Sequence, residues 1–200
     1  MKKYTIGLIA ATALVATSAM AAPVKSKVVA PTERTGFYVD GGLGYGYNGV
    51  NKDFQTQVKD AGGSLSRGGF AGLVGTGYQF NKNFAVEADY LRMPGAKVKN
   101  AGVADETLTH NAIAMAVKGM YPVMDNVNAF AKAGVAYQFG SNKTVGSAKQ
   151  NYHSGSPLLA VGAEYFVTNN VSVNTQLVTL IGTNGERTTF AGLVGAGYKL

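Results

Sequence analysis

The residues of this chain that could do chemistry are few, because only 14% of its 200 residues are charged and it contains no cysteine. Disulfide scaffolds and thiolate metal sites are therefore excluded, and no metal or cofactor is predicted. The two imidazoles, His110 and His153, lie in or beside long polar segments on the same side of the pattern described below, where they could meet. A hydrolytic site would also need an activated nucleophile, and no Ser/His/Asp grouping has a suitable spacing, so no enzymatic activity is predicted. The run Gly41-Gly42-Leu43-Gly44 resembles a phosphate loop, yet no helical pattern follows to offer an N-terminus to phosphate. What remains is a set of polar groups set into apolar surroundings: Glu87, Asp89, Lys118, Lys132, Glu164 and Asn174. Carboxylates and ammonium groups in such a setting must neutralise one another, whether as a gate on a narrow ion path or as a structural network.

The elements that carry these residues are strands. From Gly36 onward no window keeps a helical period and no apolar run is long enough for a spanning helix. In Phe37 to Tyr47 the set Phe37, Val39, Gly41, Leu43, Tyr45, Tyr47 alternates with Tyr38, Asp40, Gly42, Gly44, Gly46, which is small or polar. The same rhythm returns in Gly69 to Phe80, Phe84 to Arg92, Thr109 to Tyr121, Val127 to Phe139, Leu158 to Val167, Val171 to Ile181 and Thr189 to Leu200. Each segment approaches the length of about 9 to 11 residues that a tilted strand needs to cross a bilayer.

Short connections (Asn81 to Asn83, Pro122 to Asn126, Thr168 to Asn170) alternate with long ones (Asn48 to Gly68, Met93 to Leu108, Gly140 to Pro157, Gly182 to Thr188). Such alternation belongs to an all-β, eight-stranded antiparallel up-and-down transmembrane β-barrel with periplasmic turns and external loops. Aromatic residues of the apolar phase gather at both strand ends: Phe37, Tyr78, Phe80, Phe84, Tyr121, Tyr165 and Tyr198 near the turns, and Tyr45, Tyr47, Phe70, Tyr90, Tyr137, Phe139 and Phe190 near the loops. Two interfacial belts result. The near-repeat of Phe70 to Tyr78 in Phe190 to Tyr198 predicts that the second and last strands both flank the first and close the sheet.

With the apolar phase outward, the opposite phase lines the lumen. Glu87, Lys118, Glu164 and Asn174 then lie about three or four residues from a short turn and share one layer, with Lys132 and Asp89 somewhat above it. Lys118 is expected to bridge Glu87 and Glu164.

Residues 1–21 read as a secretory signal peptide, with basic Lys2 and Lys3, an apolar core and Ala19-Met20-Ala21. Residues 22–35 form a polar lead-in with Pro23 and Pro31, and residues 36–200 the barrel. Loss of Lys2 and Lys3 lowers the formal charge from +7 to +5. That excess is scattered, which points away from nucleic acid and toward loop charge that meets anionic lipopolysaccharide.

The segment Tyr78-Gln79-Phe80-Asn81-Lys82-Asn83-Phe84-Ala85-Val86-Glu87, together with Arg92-Met93-Pro94, Val117-Lys118-Gly119-Met120-Tyr121-Pro122 and the stretch from Ser156-Pro157 to Ala163-Glu164-Tyr165, resembles the transmembrane domain of the outer membrane protein A family. The resemblance implies that Glu87, Lys118 and Glu164 match three members of an interior salt-bridge network whose fourth, an arginine, is replaced here by Asn174. It also implies a terminal assembly signal in Tyr198-Lys199-Leu200, closing on leucine where the family has an aromatic residue. The chain is expected to end with the barrel, without the family's peptidoglycan-binding domain, and tethering to the cell wall is not expected.

The function expected is that of a small structural and surface-presenting protein of a Gram-negative outer membrane, whose loops serve adhesion or receptor contact. The alternative is a narrow, gated ion-conducting pore. Expected partners are outer-membrane lipid and lipopolysaccharide, the barrel-assembly machinery, and a host-cell surface or phage, with the chain monomeric.

Overall fold

A computed structural model describes residues 35–49, 60, 64–95, 97–100, 103–144, 150–182 and 188–200. The expected signal peptide and nearly all of the lead-in lie outside them. Ten strands follow in chain order: β1 (Gly36–Asn48), β2 (Ser64–Ser66), β3 (Gly68–Gln79), β4 (Phe84–Met93), β5 (Lys97–Asn100), β6 (Val103–Met124), β7 (Val127–Thr144), β8 (Gln150–Phe166), β9 (Val171–Leu180) and β10 (Thr189–Lys199).

Eight of them form the wall, in the order β1-β3-β4-β6-β7-β8-β9-β10, and β10 pairs back onto β1. Every neighbouring pair is antiparallel. Among the described residues closure leaves none of these eight strands with an open side, which is what a sheet surrounded by hydrocarbon requires. The two near-identical strands do flank the first: Phe70 is opposite Tyr45, and Phe190 is opposite Tyr47.

Alternation decides which side each residue faces. In β4, Phe84, Val86 and Tyr90 are exposed while Ala85, Glu87, Asp89, Leu91 and Met93 are buried. Since the exposed side is apolar and the buried side carries the charges, the wall is inverted relative to a soluble barrel. Both belts expose their rings outward, from Phe37, Phe84 and Tyr121 near the turns to Tyr45, Tyr90 and Phe190 near the loops. Edge-to-face contacts join Phe37 to Tyr78 and Tyr78 to Phe80, with ring centroids 4.8 and 5.0 Å apart.

The tight turns are held by side chains that mimic the backbone. Asn81 Oδ1 accepts from the amides of Asn83 and Phe84 at 2.8 and 3.0 Å. Thr168 Oγ1 accepts from those of Asn170 and Val171 at 3.2 and 2.9 Å.

The long connections differ from expectation. β6 begins at Val103 instead of Thr109, β7 runs to Thr144, and β8 starts at Gln150 instead of Leu158. Most of the segment read as a loop from Gly140 to Pro157 is thus paired, with Ser141 opposite Asn151 and Asn142 opposite Gln150. Beyond the bilayer both faces of a strand meet water, so alternation of polarity stops while the hydrogen-bond ladder continues. For the same reason β2 and β5 carry no readable period; β5 pairs with β6 and β2 with β5, extending the sheet on one side above the wall.

The seam between β1 and β10 is tight. A Cβ on Gly44 would lie 2.8 Å from the carbonyl carbon of Gly192 and 2.9 Å from Leu193 Cα, whereas one on Gly72 would meet its neighbours at 3.5 Å or more. Gly44→Val is therefore expected to cost roughly 1–3 kcal/mol through overpacking, and Gly72→Val much less. Urea unfolding in bilayers, followed by the heat-modifiable gel mobility of the folded barrel, measures both; equal behaviour of the two variants would contradict the seam.

Candidate functional site in the barrel lumen

The lumen is filled in layers. Near the turn end, Ala85, Met120 and Phe130 are buried against one another with Tyr38 packed beside them. Above the charged layer, Leu73, Leu91, Leu158, Leu180 and Leu193 join Met93, Val178 and seven alanines in one buried apolar cluster. A barrel of eight strands is just wide enough for side chains to fill it; here the leucine cluster fills it above the charges, and a cavity of about 30 Å³ reaches Lys118 and Glu164 from the turn end.

Between these layers the structure brings the polar residues together. Lys118 Nζ lies 3.3 Å from Glu87 Oε1 and 3.4 Å from Glu164 Oε2. Lys132 Nζ pairs with Glu87 Oε2 and lies 3.9 Å from Asp89 Oδ2. Two hydroxyls complete the shell: Tyr38 donates to Glu87 Oε1 at 2.5 Å, and Ser172 donates to Glu164 Oε1 at 2.6 Å. The Phe130 ring stands 4.6 Å from Lys118 Nζ and 5.6 Å from Lys132 Nζ, offering its negative face to both cations.

Room for this arrangement comes from glycines on the neighbouring strand. A Cβ on Gly77 would lie 2.6 Å from the Tyr38 hydroxyl, so the absence of a side chain there lets the phenol cross the lumen to Glu87. A Cβ on Gly75 would lie 3.1 Å from Asp40 Oδ1, and Asp40 brings a further carboxylate to this face.

Two expectations need correction. Lys132 is not above the layer: it is the cross-strand partner of Lys118 and meets Glu87 directly, so Lys118 is not the only cation of the layer. β6 runs to Met124 and β7 starts at Val127, so the turn is tighter than the expected Pro122 to Asn126, and Lys118 and Lys132 lie about equally far from it along their strands. Nor do the two histidines meet. His110 is buried in the lumen with Nε2 against Gln138 Oε1, and Gln138 in turn donates to Ser156. His153 is exposed on the outer face, stacked on Tyr137 with centroids 5.9 Å apart. Their strand phases are opposite, which the distance along the sequence conceals.

Asn174 stands opposite Glu164 in register, and its Oδ1 is buried without a hydrogen-bond partner. Sequence reasoning assigned no role to Tyr38, Asp40, Ser172 or Phe130. Tyr38 and Asp40 were readable in the inward phase, but a hydroxyl or ring gives no charge signal to mark it as a partner.

The model of the OmpA-like transmembrane domain matches residues 32–197. The chain belongs to that family. Outer membrane protein P5 of Haemophilus influenzae is 30% identical over 187 residues, which cover 86% of this chain and 50% of the relative. The chain thus spans about half the length of the curated relatives it matches. Neisserial surface protein A has a similar fold, with a TM-score of 0.61 at 19% identity, over 82% of this chain and 97% of that one. The N-terminal β-barrel domain of Pseudomonas aeruginosa OprF superposes with a TM-score of 0.56 at 14% identity, over 84% of this chain and all (100%) of that one. Ail, the attachment invasion locus protein of Yersinia pestis, gives 0.53 at 14% identity, over 84% and 100% of the two chains. This member of the OmpA-like family is an integral, surface-exposed protein of a Gram-negative outer membrane.

Removing one partner of a buried ion pair leaves an uncompensated charge and costs about 3–5 kcal/mol. Lys118→Met and Lys132→Met are each expected to lose stability on that scale, and Ser172→Ala about 1 kcal/mol. Equilibrium unfolding in bilayers measures the three; a Lys132 variant as stable as the native chain would remove that residue from the network.

Proposed function

We propose that the chain is a structural and surface-presenting anchor. The barrel holds a lumen that does not conduct, and its projecting hairpins contact receptors, host cells or phage. The observation that supports this most is the leucine cluster that fills the lumen on the loop side of the charged layer, while on the turn side Tyr38, Met120 and Phe166 leave a cavity of only about 30 Å³ beside Lys118 and Glu164. On this reading Glu87, Lys118, Lys132, Asp89 and Glu164 fix strand register and neutralise one another, with Asn174 a polar neighbour, and none of them gates a path.

The surface role draws on the asymmetric sheet above the wall. β7 continues past Phe139 from Gly140 to Thr144, roughly 16 Å of strand at about 3.3 Å per residue. It is flanked by the extensions of β6 and β8, with β5 beyond β6. A paired backbone holds whatever chemistry the hairpin tips carry at a fixed distance from the membrane, which a free loop does not. Function concentrates on such connections because they vary without disturbing the scaffold. The outer membrane supplies the remaining partners: lipid and lipopolysaccharide around the wall, and assembly machinery that would read the end of β10. The barrel acts as a monomer.

Single-channel recording after refolding in planar bilayers tests the anchor reading. Native chain and Lys118→Ala should both be silent, while discrete conductance that changes in Lys118→Ala would establish the gated pore instead. Replacing 141–155 by a short turn should leave the barrel folded and abolish binding of cells bearing this protein to epithelial or phage targets.

A further inference from the structure

The outer face of the wall has a gap in its cover of side chains. Across β1, β10, β9 and β8 one rung runs Tyr45, Gly192, Leu177, Val161, and all of these positions are on the outward phase. Gly192 contributes nothing to it, and a Cβ placed there would meet just one neighbour within 4 Å, Leu177 Cδ2 at 3.5 Å. Tyr45 leans the other way, toward β3, where a Cβ on Gly68 would lie 2.8 Å from its ring carbons. The result is an apolar groove of about 510 Å³, closed above by Tyr47 and Phe190.

Against Tyr47, which lines the loop end of this groove, stands a cation from the β3 side. Arg67 holds its guanidinium 4.9 Å from the centroid of the Tyr47 ring. Its carbonyl accepts from the Asn48 amide at 2.8 Å, so the residue is fastened to β1 at the height of the upper aromatic belt. That is where lipid headgroups meet the barrel, and a guanidinium there is suited to bind phosphate oxygens in pairs.

We propose that the groove holds one acyl chain of the lipid A part of lipopolysaccharide, with Arg67 taking its phosphate. Hydrocarbon must cover this face in any membrane; the notch at Gly192 and the cation beside Tyr47 distinguish this position on the wall. The assignment of lipid A, and not an inner-leaflet phospholipid, rests on the orientation proposed above, with the long hairpins outside the cell.

Native mass spectrometry of the mature chain, refolded in detergent with purified lipid A, tests the site. One lipid A should be retained by the native chain and by Val117→Phe, whose exposed position on β6 lies elsewhere on the wall. Gly192→Phe should fill the notch and lose it. Arg67→Gln should weaken retention about fivefold, since a basic residue near the membrane surface contributes on the order of 1 kcal/mol, and should leave binding of dephosphorylated lipid A unchanged. If Gly192→Phe does not show the heat-modifiable mobility of a folded barrel, Leu177→Trp, which narrows the same groove, replaces it. Undiminished retention in the folded groove variant, or equal retention of phosphatidylglycerol, would overturn the proposal. Orientation is read separately, by protease cleavage of whole cells carrying a cleavage site inserted between 145 and 149. Resistance there would remove the surface reading while leaving the groove measurement intact.

Discussion

A backbone amide in hydrocarbon has no water to bond with, and the rest of this structure depends on that constraint. A sheet satisfies the condition by closing on itself, so the first and last strands must meet; they do so along a seam where Gly44 faces the backbone of β10. Closure in turn gives the wall two unlike surroundings. The outward phase must be apolar and, at the two interfaces, aromatic, whereas the inward phase must fill a narrow tube without leaving a charge alone. The alternation of β4 and the ion pairs of Glu87 are therefore two results of one requirement.

The way the tube is filled differs from the simple picture of a polar interior. Charge gathers in one layer, which leucine and alanine side chains close off on the loop side and which borders a small cavity beside Tyr38 and Met120 on the turn side. Desolvated in this way, a carboxylate such as Glu87 cannot rely on water and is met by two ammonium groups and a phenol. The network is best understood as the interior polar core of a small protein, with its partners recruited from strands that are distant in sequence. Lys132 supplies a second cation to this layer of carboxylates, so that Glu87 is met by two ammonium groups and Asp89 has a partner that Lys118 does not provide.

Much of the wall was legible in the sequence because a period of two residues survives wherever one face meets lipid and the other meets the lumen. The pairing of β1 with both β3 and β10 could be read from the repeat of Phe70 to Tyr78 in Phe190 to Tyr198, and the inward phase of Glu87, Lys118 and Glu164 from the same alternation. Outside the bilayer the signal vanished, since polar residues on both faces of β7 and β8 carry no phase; the paired stretch from Gly140 to Pro157 looked like a loop for that reason. Height within the lumen was also hidden. The turn between β6 and β7 is tighter than expected and makes Lys132 the cross-strand partner of Lys118, and only the closed geometry reveals that Tyr38 reaches Glu87 across the space left by Gly77.

The overhang of β6, β7 and β8 has a mechanical meaning. Hydrogen bonds of an antiparallel ladder lie across the strands, and β6 and β7 stay paired from Glu106 with Thr144 down to Met124 with Val127. A tug on the tips directed away from the cell therefore pulls along the strands and strains the whole ladder in shear, instead of peeling it apart one bond at a time. Drag from flow on anything gripped at those tips would be shared by the wall.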